Sequence, residues 1–503
     1  MFLSPKESLS EQDVKSGLKI VLWDGLAAEA MTVFSSGTFL VSMALLLGAN
    51  SLQIGLLAAL PLATNVFQLA SVWLVGRYHN RRIVAVLCAY FARIPLLLVG
   101  FGVLTFSGLS LNLLIVMLFF HYLFGSIAGP SWNSWIKDMV PENILGEYFS
   151  RRSRYTQILN VILSIALALL LDFIKRRHPD FQLNAYAIFF LVAGTVGLIG
   201  GFVLSKAQEP QSYLSDHNIF GLFKIPLKDP NFRRLLVFNC VWAFALNIAT
   251  PFFTVFMLAA LKLSISYVII LGVAGQLAGI LTLRLWGTFS DRYSNKSIIG
   301  VAAPIYILCI LAWCFVGIYS QQYANLLLLL CIHLLGGFAT AGINLSLNNI
   351  GLKLAPKKDA IVYLSVKNIV VAVASSLGPL IGGLLAVFFA RRKLSVIVDW
   401  SSPVLHKTFK LLELHEWNFL FVIGAFFALL SLSRLSRVKE IGEIHKNTVR
   451  KIMRTAIRNN LRDYFLIGDI ITMHEQLKAS VRARRNRIKL PRPADQQPHN
   501  AKH

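Results

Sequence analysis

The sequence predicts an all-α polytopic membrane protein, with twelve transmembrane helices in two six-helix, pseudo-symmetric halves. Three observations carry that expectation. First, the 503 residues are 56% hydrophobic and only 15% charged, where a soluble globular chain has about 25% charged residues. Second, the apolar residues fall in runs of about 20 or more, the length that crosses a bilayer as a helix. Strand-like alternation over about 10 residues, the mark of a membrane barrel, is absent. Third, one charged turn is written twice, as SVWLVGRYHNRRIV (Ser71–Val84) and WGTFSDRYSNKSII (Trp286–Ile299). Lipid offers the backbone no hydrogen bonds, so the apolar runs must be helices.

In chain order, a polar segment over 1–23 comes first. It lacks an apolar h-region, so no cleavable signal is expected. Six spans with cores near 24–48, 53–75, 83–104, 112–136, 150–173 and 184–205 make an N-terminal bundle, 24–205. A polar connection, 206–231, divides the chain. Six more spans, near 232–259, 266–288, 298–318, 325–351, 362–390 and 417–436, make a C-terminal bundle, 232–436, and a basic tail occupies 437–503.

The halves are copies. An offset of 215 carries Arg77, Tyr78, Asn80, Arg81 and Ile83 onto Arg292, Tyr293, Asn295, Lys296 and Ile298. It also carries Ser131, Asn133, Pro141, Tyr148, Ser150 and Arg152 onto Ser346, Asn348, Pro356, Tyr363, Ser365 and Lys367. Parallel six-helix repeats related by an axis along the membrane normal are a transporter plan.

Lys and Arg set the orientation. With the N-terminus inside, the inner connections hold eighteen and the outer ones nine. The tail from Arg437 adds sixteen against six acidic residues. Both termini are therefore expected in the cytoplasm of a cell that carries the protein in its inner or plasma membrane. The pairs Arg176–Arg177 and Arg391–Arg392 run against the rule.

Gly287, Asp291, Arg292 and Lys296 are similar to the loop signature G-x-x-x-D-R-x-x-x-[KR] of the major facilitator superfamily. The upstream copy keeps Arg77 and Arg81 but has Val72 for the glycine and Gly76 for the aspartate. With twelve spans and two repeats, the resemblance covers about residues 17–436. It implies that family's fold, and a cytoplasmic gate of Arg77, Arg81, Gly287, Asp291, Arg292 and Lys296 that latches the halves in one state and releases them in the other. Gly287 would let two helices approach closely. The plainer alternative is a topology signal. A second stretch, SSLGPLIGGLL (Ser375–Leu385), resembles the superfamily's antiporter motif but stands in span eleven rather than five. It predicts a kinked, closely packed helix.

Ionisable groups inside spans are functional candidates by default. Arg93 lies about ten residues into span three and needs a carboxylate or an anionic substrate. Asp24 and Glu29 open span one, five positions apart and so on different faces. Glu29, the deeper, is the preferred proton carrier, with a static ion pair as the alternative. His121 and His333 can also titrate. Asn239, Asn247, Gln276 and Asn344 are substrate contacts or helix–helix glue. Thr250–Pro251 is expected to break span seven beside a cavity. Trp132 and Trp135, three apart, read as interfacial anchors or as cavity walls.

The tail over 437–492 reads as a basic amphipathic segment on anionic lipid; no nucleic-acid motif accompanies it. The five cysteines lie in apolar runs without zinc or redox spacing. No phosphate-binding loop or catalytic triad occurs, so no cofactor, metal or enzyme activity is expected. The reading is a monomeric secondary active transporter of a small solute, proton-coupled through its carboxylates. The alternatives are a passive facilitator, or a transporter-like scaffold or sensor that acts through its tail.

Overall fold

The computed structural model describes residues 5–105, 111–211, 224–292, 294–318, 321–356, 360–402 and 406–440. Residues 212–223 of the central connection and the tail from 441 onward lie outside these residues, and with the latter nearly all of the segment read as lipid-binding, 437–492. Among the described residues, twelve helices are long and apolar enough to cross a bilayer. The first six are α1 (Glu11–Leu46), α2 (Ser51–Tyr78), α3 (Arg81–Thr105), α4 (Leu111–Met139), α5 (Glu142–Arg177) and α6 (Pro179–Leu204). The second six are α7 (Pro230–Ala260), α8 (Ile265–Ser290), α9 (Asn295–Phe315), α10 (Gln322–Leu354), α11 (Val362–Phe389) and α12 (Trp417–Leu435).

Hydropathy placed the first span late. Helix α1 begins at Glu11, so much of the polar leader over 1–23 is helical. Ser10 and Asp13 form a capping box there, each satisfying an N–H that the helix end leaves open. Helix α1 is also the span that breaks. Gly37 has φ +60° and follows an extended Ser36, while Ser35 and Ser36 return their hydroxyls to the carbonyls of Met31 and Thr32. The break expected at Pro251 is absent: α7 stays α-helical to Val255 and ends in a π turn, Phe256–Ala260. Pro251 is the repeat mate of Ser36 at offset 215. The first half breaks at this level, while the second stays α-helical through it and loosens only beyond Val255.

The connection 391–416 is not an irregular loop. It folds as an antiparallel hairpin, β1 (Lys393–Ser401) and β2 (His406–His415), with a bulge between Val396 and Ile397. Lys393 binds Glu413 across it at 2.6 Å, and Lys410 binds the same carboxylate from within β2 at 3.3 Å. The basic pairs that offended the charge rule also find a place. Lys175, Arg176 and Arg177 close the last turn of α5, where cations oppose the helix dipole. The Arg392 guanidinium lies 3.7 Å from the centre of the Phe388 ring.

Packing follows one plan twice. In the first half α1 packs on α5 and α6, α3 on α4 and α6, and α2 on α4. In the second, α7 packs on α11 and α12, α9 on α10 and α12, and α8 on α10. The halves meet through α2–α11 and α5–α8, which this symmetry exchanges. The core of the first half is largely aliphatic, around Met43, Leu96, Leu114 and Leu171. The second half holds an aromatic cluster in which Phe253 stacks on Trp313 at 4.5 Å and Phe421 packs against both.

Candidate functional site

A cavity of about 520 Å³ opens inside the first half, walled by α1 to α4 with Arg152 of α5 and Leu204 of α6. Asp24 and Arg93 face it and are almost fully buried. Their closest approach, Asp24 Oδ1 to Arg93 Nη2, is 3.9 Å, an ion pair without a hydrogen bond. Among the described residues Arg93 Nε and Nη1, and Asp24 Oδ1, have no hydrogen-bond partner. A buried unpaired polar atom costs free energy, so this wall is held ready rather than satisfied. The sequence builds it with small residues. Gly197 lies against the Arg93 stem and Gly200 against Ala27 of α1, so α6 approaches α1 and α3 closely. A Cβ at Gly25 would strike the Arg152 guanidinium, which lies 5.0 Å from the Trp132 ring centre. His121 completes the wall, with Nδ1 bonded to the Ala92 carbonyl at 2.7 Å.

Several expected residues are placed elsewhere. Glu29 is off this wall and accepts a bond from Asn160 Nδ2 at 2.6 Å. Arg93 takes Asp24 as its neighbour, not Glu29. Asn239 and Asn247 each donate to a carbonyl one turn back on α7, Leu235 and Ala243, so these amides are spent within their own helix. Gln276 and Asn344 line a second cavity of about 620 Å³ between α8, α9 and α10, with Asn348, Tyr306, Trp313 and His333. Neither tryptophan of α4 is an interfacial anchor. Trp132 walls the first cavity, and Trp135 is fully buried with its indole N–H on the Gln208 carbonyl at 3.0 Å.

In this conformation the bonds of the repeated turns run within each half, as a released latch or a plain topology signal both allow. Arg81 is buried; its guanidinium binds Glu209, Asp138, Ser134 and the Pro210 carbonyl. Glu209 also accepts the backbone N–H groups of Arg81 and Arg82, at 2.9 and 3.0 Å, capping α3 with a full charge. In the second half Glu440 accepts the N–H groups of Asn295 and Lys296, at 3.1 and 2.8 Å, and so caps α9. Lys296 Nζ binds the carbonyls of Ser436 and Val438. Every one of these bonds stays within one half. Through these bonds Arg81 and Lys296 fasten the ends of α6 and α12 to the starts of α3 and α9. Arg77 is exposed. A Cβ at Gly287 would meet open space, so no close helix contact needs it. The side chains of Asp291 and Arg292 lie outside the described residues. The two capping glutamates escaped the sequence reading. The signal available for them was one carboxylate five residues past each sixth span.

The halves touch at the end of the bundle that carries the hairpin. A Cβ at Gly55 of α2 would overlap the Pro379 carbonyl of α11, and one at Gly383 would meet the Ser51 carbonyl at 2.8 Å. Gly378 and Gly382 turn the other way, onto Asn247 and Ile248 of α7, so the glycine-rich stretch packs closely on two helices as its sequence predicts. Asp172, near the end of α5, accepts the N–H groups of Ile265 and Ser266 at 3.1 and 3.0 Å and so caps α8 across the interface. Ser51 Oγ lies 3.2 Å from Glu416 Oε1, beside the hairpin. A third cavity, about 520 Å³, lies between α1 and Pro251 and Thr254 of α7, and shares Pro61, His121 and Tyr122 with the first.

The sequence pattern of the Major Facilitator Superfamily matches residues 25–379. The chain belongs to that superfamily. No curated protein sequence matches it. Among solved structures it is similar to the nucleoside transporter NupG, at 13% identity over 84% of this chain and 98% of that one, with a TM-score of 0.61. It is similar to a D-xylose-proton symporter at 15% identity over 86% and 100%, with a TM-score of 0.60. A bacterial homolog to the human lysosomal transporter Spinster, in an inward-facing and occupied conformation, is 15% identical over 86% and 98%, with a TM-score of 0.58. At these identities the likeness is one of fold. This superfamily member is a multi-pass transporter, and its halves are that fold's two bundles.

Proposed function

We propose that this chain is a secondary active transporter that moves a small solute by rocking its two halves, with a proton carried by Asp24. The observation that carries the reading is the loose Asp24–Arg93 pair on a cavity wall, with unbonded atoms on both partners. Asp24 faces Arg93 from α3, Arg152 from α5 and the Trp132 indole from α4. A proton on Asp24 removes its pull on Arg93 and frees the guanidinium for solute. Solute on Arg93 in turn favours the protonated carboxyl. Each therefore raises the other's affinity.

The seat of the motion is supported by where the halves touch. Contacts through α2–α11 and α5–α8 gather at the hairpin end, and the bonds of the opposite turns stay within each half. Such a bundle is closed at one end and free to part at the other. The Lys and Arg distribution puts the hairpin end outside and both termini in the cytoplasm. On that assignment the conformation is open inward, like the Spinster homolog. The similarity to a D-xylose-proton symporter is consistent with proton coupling.

The test is solute-dependent proton movement. Liposomes holding the protein and a pH-sensitive dye, challenged with pools of small metabolites under an imposed pH gradient, should show uptake of protons with at least one pool. Asp24→Asn should abolish proton movement yet keep exchange of labelled solute. Proton movement that persists in Asp24→Asn excludes this carboxylate as the carrier.

A further inference from the structure

The unbonded face of Arg93 points to a chemical class of solute. We propose that the first-half cavity takes a small organic monocarboxylate, its carboxylate on the Arg93 guanidinium and its apolar body along the alanine wall. This deepens the reading above and rests on its assumption that the cavity is the solute site.

Three observations support it. Arg93 is 7% exposed, and among the described residues its Nε and Nη1 bond to nothing. A guanidinium holds a carboxylate bidentately through Nη2 together with Nε or Nη1; Nη2 is the nitrogen nearest Asp24, at 3.9 Å, too far for a hydrogen bond. Next is charge. The cavity lining carries Arg93, Arg152 and Asp24 as its charged residues, a net of one positive. His121 adds an imidazole committed through Nδ1 to the Ala92 carbonyl. A monoanion neutralises such a site; a cation meets repulsion in a medium where charges interact strongly. Last is the rest of the wall. Ala28, Ala85, Ala89 and Ala92 leave a smooth apolar surface, and Trp132, held by Arg152, closes one side. A volume of about 520 Å³ suits a compound of metabolite size.

A phosphate ester offers the same oxygens, but its second charge exceeds the single positive charge that the wall carries while Asp24 is ionised, and only the protonated carboxyl would leave a charge to match it. The two sources are separable in one experiment. Full-length protein in micelles would be heated with matched acids, amides and amines: 3-phenylpropionate, 3-phenylpropanamide and 3-phenylpropylamine; lactate and lactamide; indole-3-acetate and indole-3-acetamide. Phenyl phosphate is the dianion arm. At least one acid should raise the unfolding midpoint while its amide and amine leave it unchanged, and phenyl phosphate should fall behind that acid. Arg93→Gln should weaken the acid by about ten- to hundredfold, the worth of a charged hydrogen bond. An amide or amine that matches its acid, phenyl phosphate ahead of every carboxylate, no shift with any acid, or full affinity in Arg93→Gln would each overturn the proposal. If Arg93→Gln does not fold, the matched compounds on the natural protein decide alone. Failure here is distinct from failure of the transport reading. Proton movement driven only by neutral or cationic solutes removes the monocarboxylate and keeps the transporter. Selective acid binding without any solute movement does the reverse.

Discussion

The cavities of the two halves are built from the same repeat and have opposite chemistry. That of the first half holds Asp24, Arg93 and Arg152. Among the described residues the lining of the second holds no Asp, Glu, Lys or Arg; its polar groups are the amides of Gln276, Asn344 and Asn348, with Thr340, Tyr306 and His333. Asn239 stands at offset 215 from Asp24 and bonds its own helix. Lys367, the mate of Arg152, is buried against the Leu347 carbonyl at 3.2 Å. Duplication supplied two equal frames, and only one kept an open charge. One half of this transporter keeps buried charge on its cavity wall, while the other offers amides and aromatic surface.

The comparison can be broken most easily at the charged wall. Arg93→Ala leaves Asp24 buried without its counter-ion and should cost about 3–5 kcal/mol of apparent stability. The double variant Asp24→Asn with Arg93→Gln should recover most of that. Asn344→Ala in the neutral cavity should change stability by less than about 1 kcal/mol. Chemical unfolding in micelles reads all three, and equal losses from Arg93→Ala and Asn344→Ala would erase the distinction between the cavities.

The capping glutamates allow a second, smaller contrast. Glu209→Ala uncaps α3 and removes the fully buried carboxylate from Arg81, which keeps Asp138, for about 3 kcal/mol. Glu440→Ala uncaps α9, but its nearby Lys353, at 3.6 Å, is about half exposed and rehydrates. Its cost should be nearer 1–2 kcal/mol.

Next comes the seam between the halves. Asp172→Asn weakens two charge-assisted bonds at the hairpin end, and Gly55→Ala wedges α2 from α11. Either should favour opening at that end. In a background without the five native cysteines, a cysteine placed at Val41, on the third cavity, should react about tenfold faster with an impermeant maleimide, the effect of roughly 1.4 kcal/mol. Unchanged labelling would move the seam elsewhere.

The smallest effect is on pH. Burial raises the Glu416 carboxyl above its ordinary range, against the opposing Ser51 hydroxyl. The folded state then binds the extra proton, so this contribution to stability is present at acid pH and lost as pH rises through the raised value. Glu413 runs the other way. Lys393, then Lys410, hold its carboxyl low, so its contribution is present above the ordinary glutamate range and lost as pH falls through the lowered value. Glu416→Gln should flatten the first trend and leave the second, as read from unfolding midpoints across acid pH.

The amino-acid sequence by itself determined the class, the twelve spans and the duplication. Hydropathy and a repeat offset are summed over many residues, and no single contact can overrule them. It also marked Arg93, because a guanidinium in a span is costly enough to need a reason. It did not decide the partner. Depth along span one favours Glu29 over Asp24, but the approach of α6 to α1 and α3, through Gly197 and Gly200, goes with Asp24 standing beside Arg93. Nor did it decide that the repeated turns hold within each half. That depends on Glu209 and Glu440 returning from far along the chain to cap α3 and α9. Local pattern sets which helices form, while the identity of a buried charge's neighbour is a long-range fact that only packing creates.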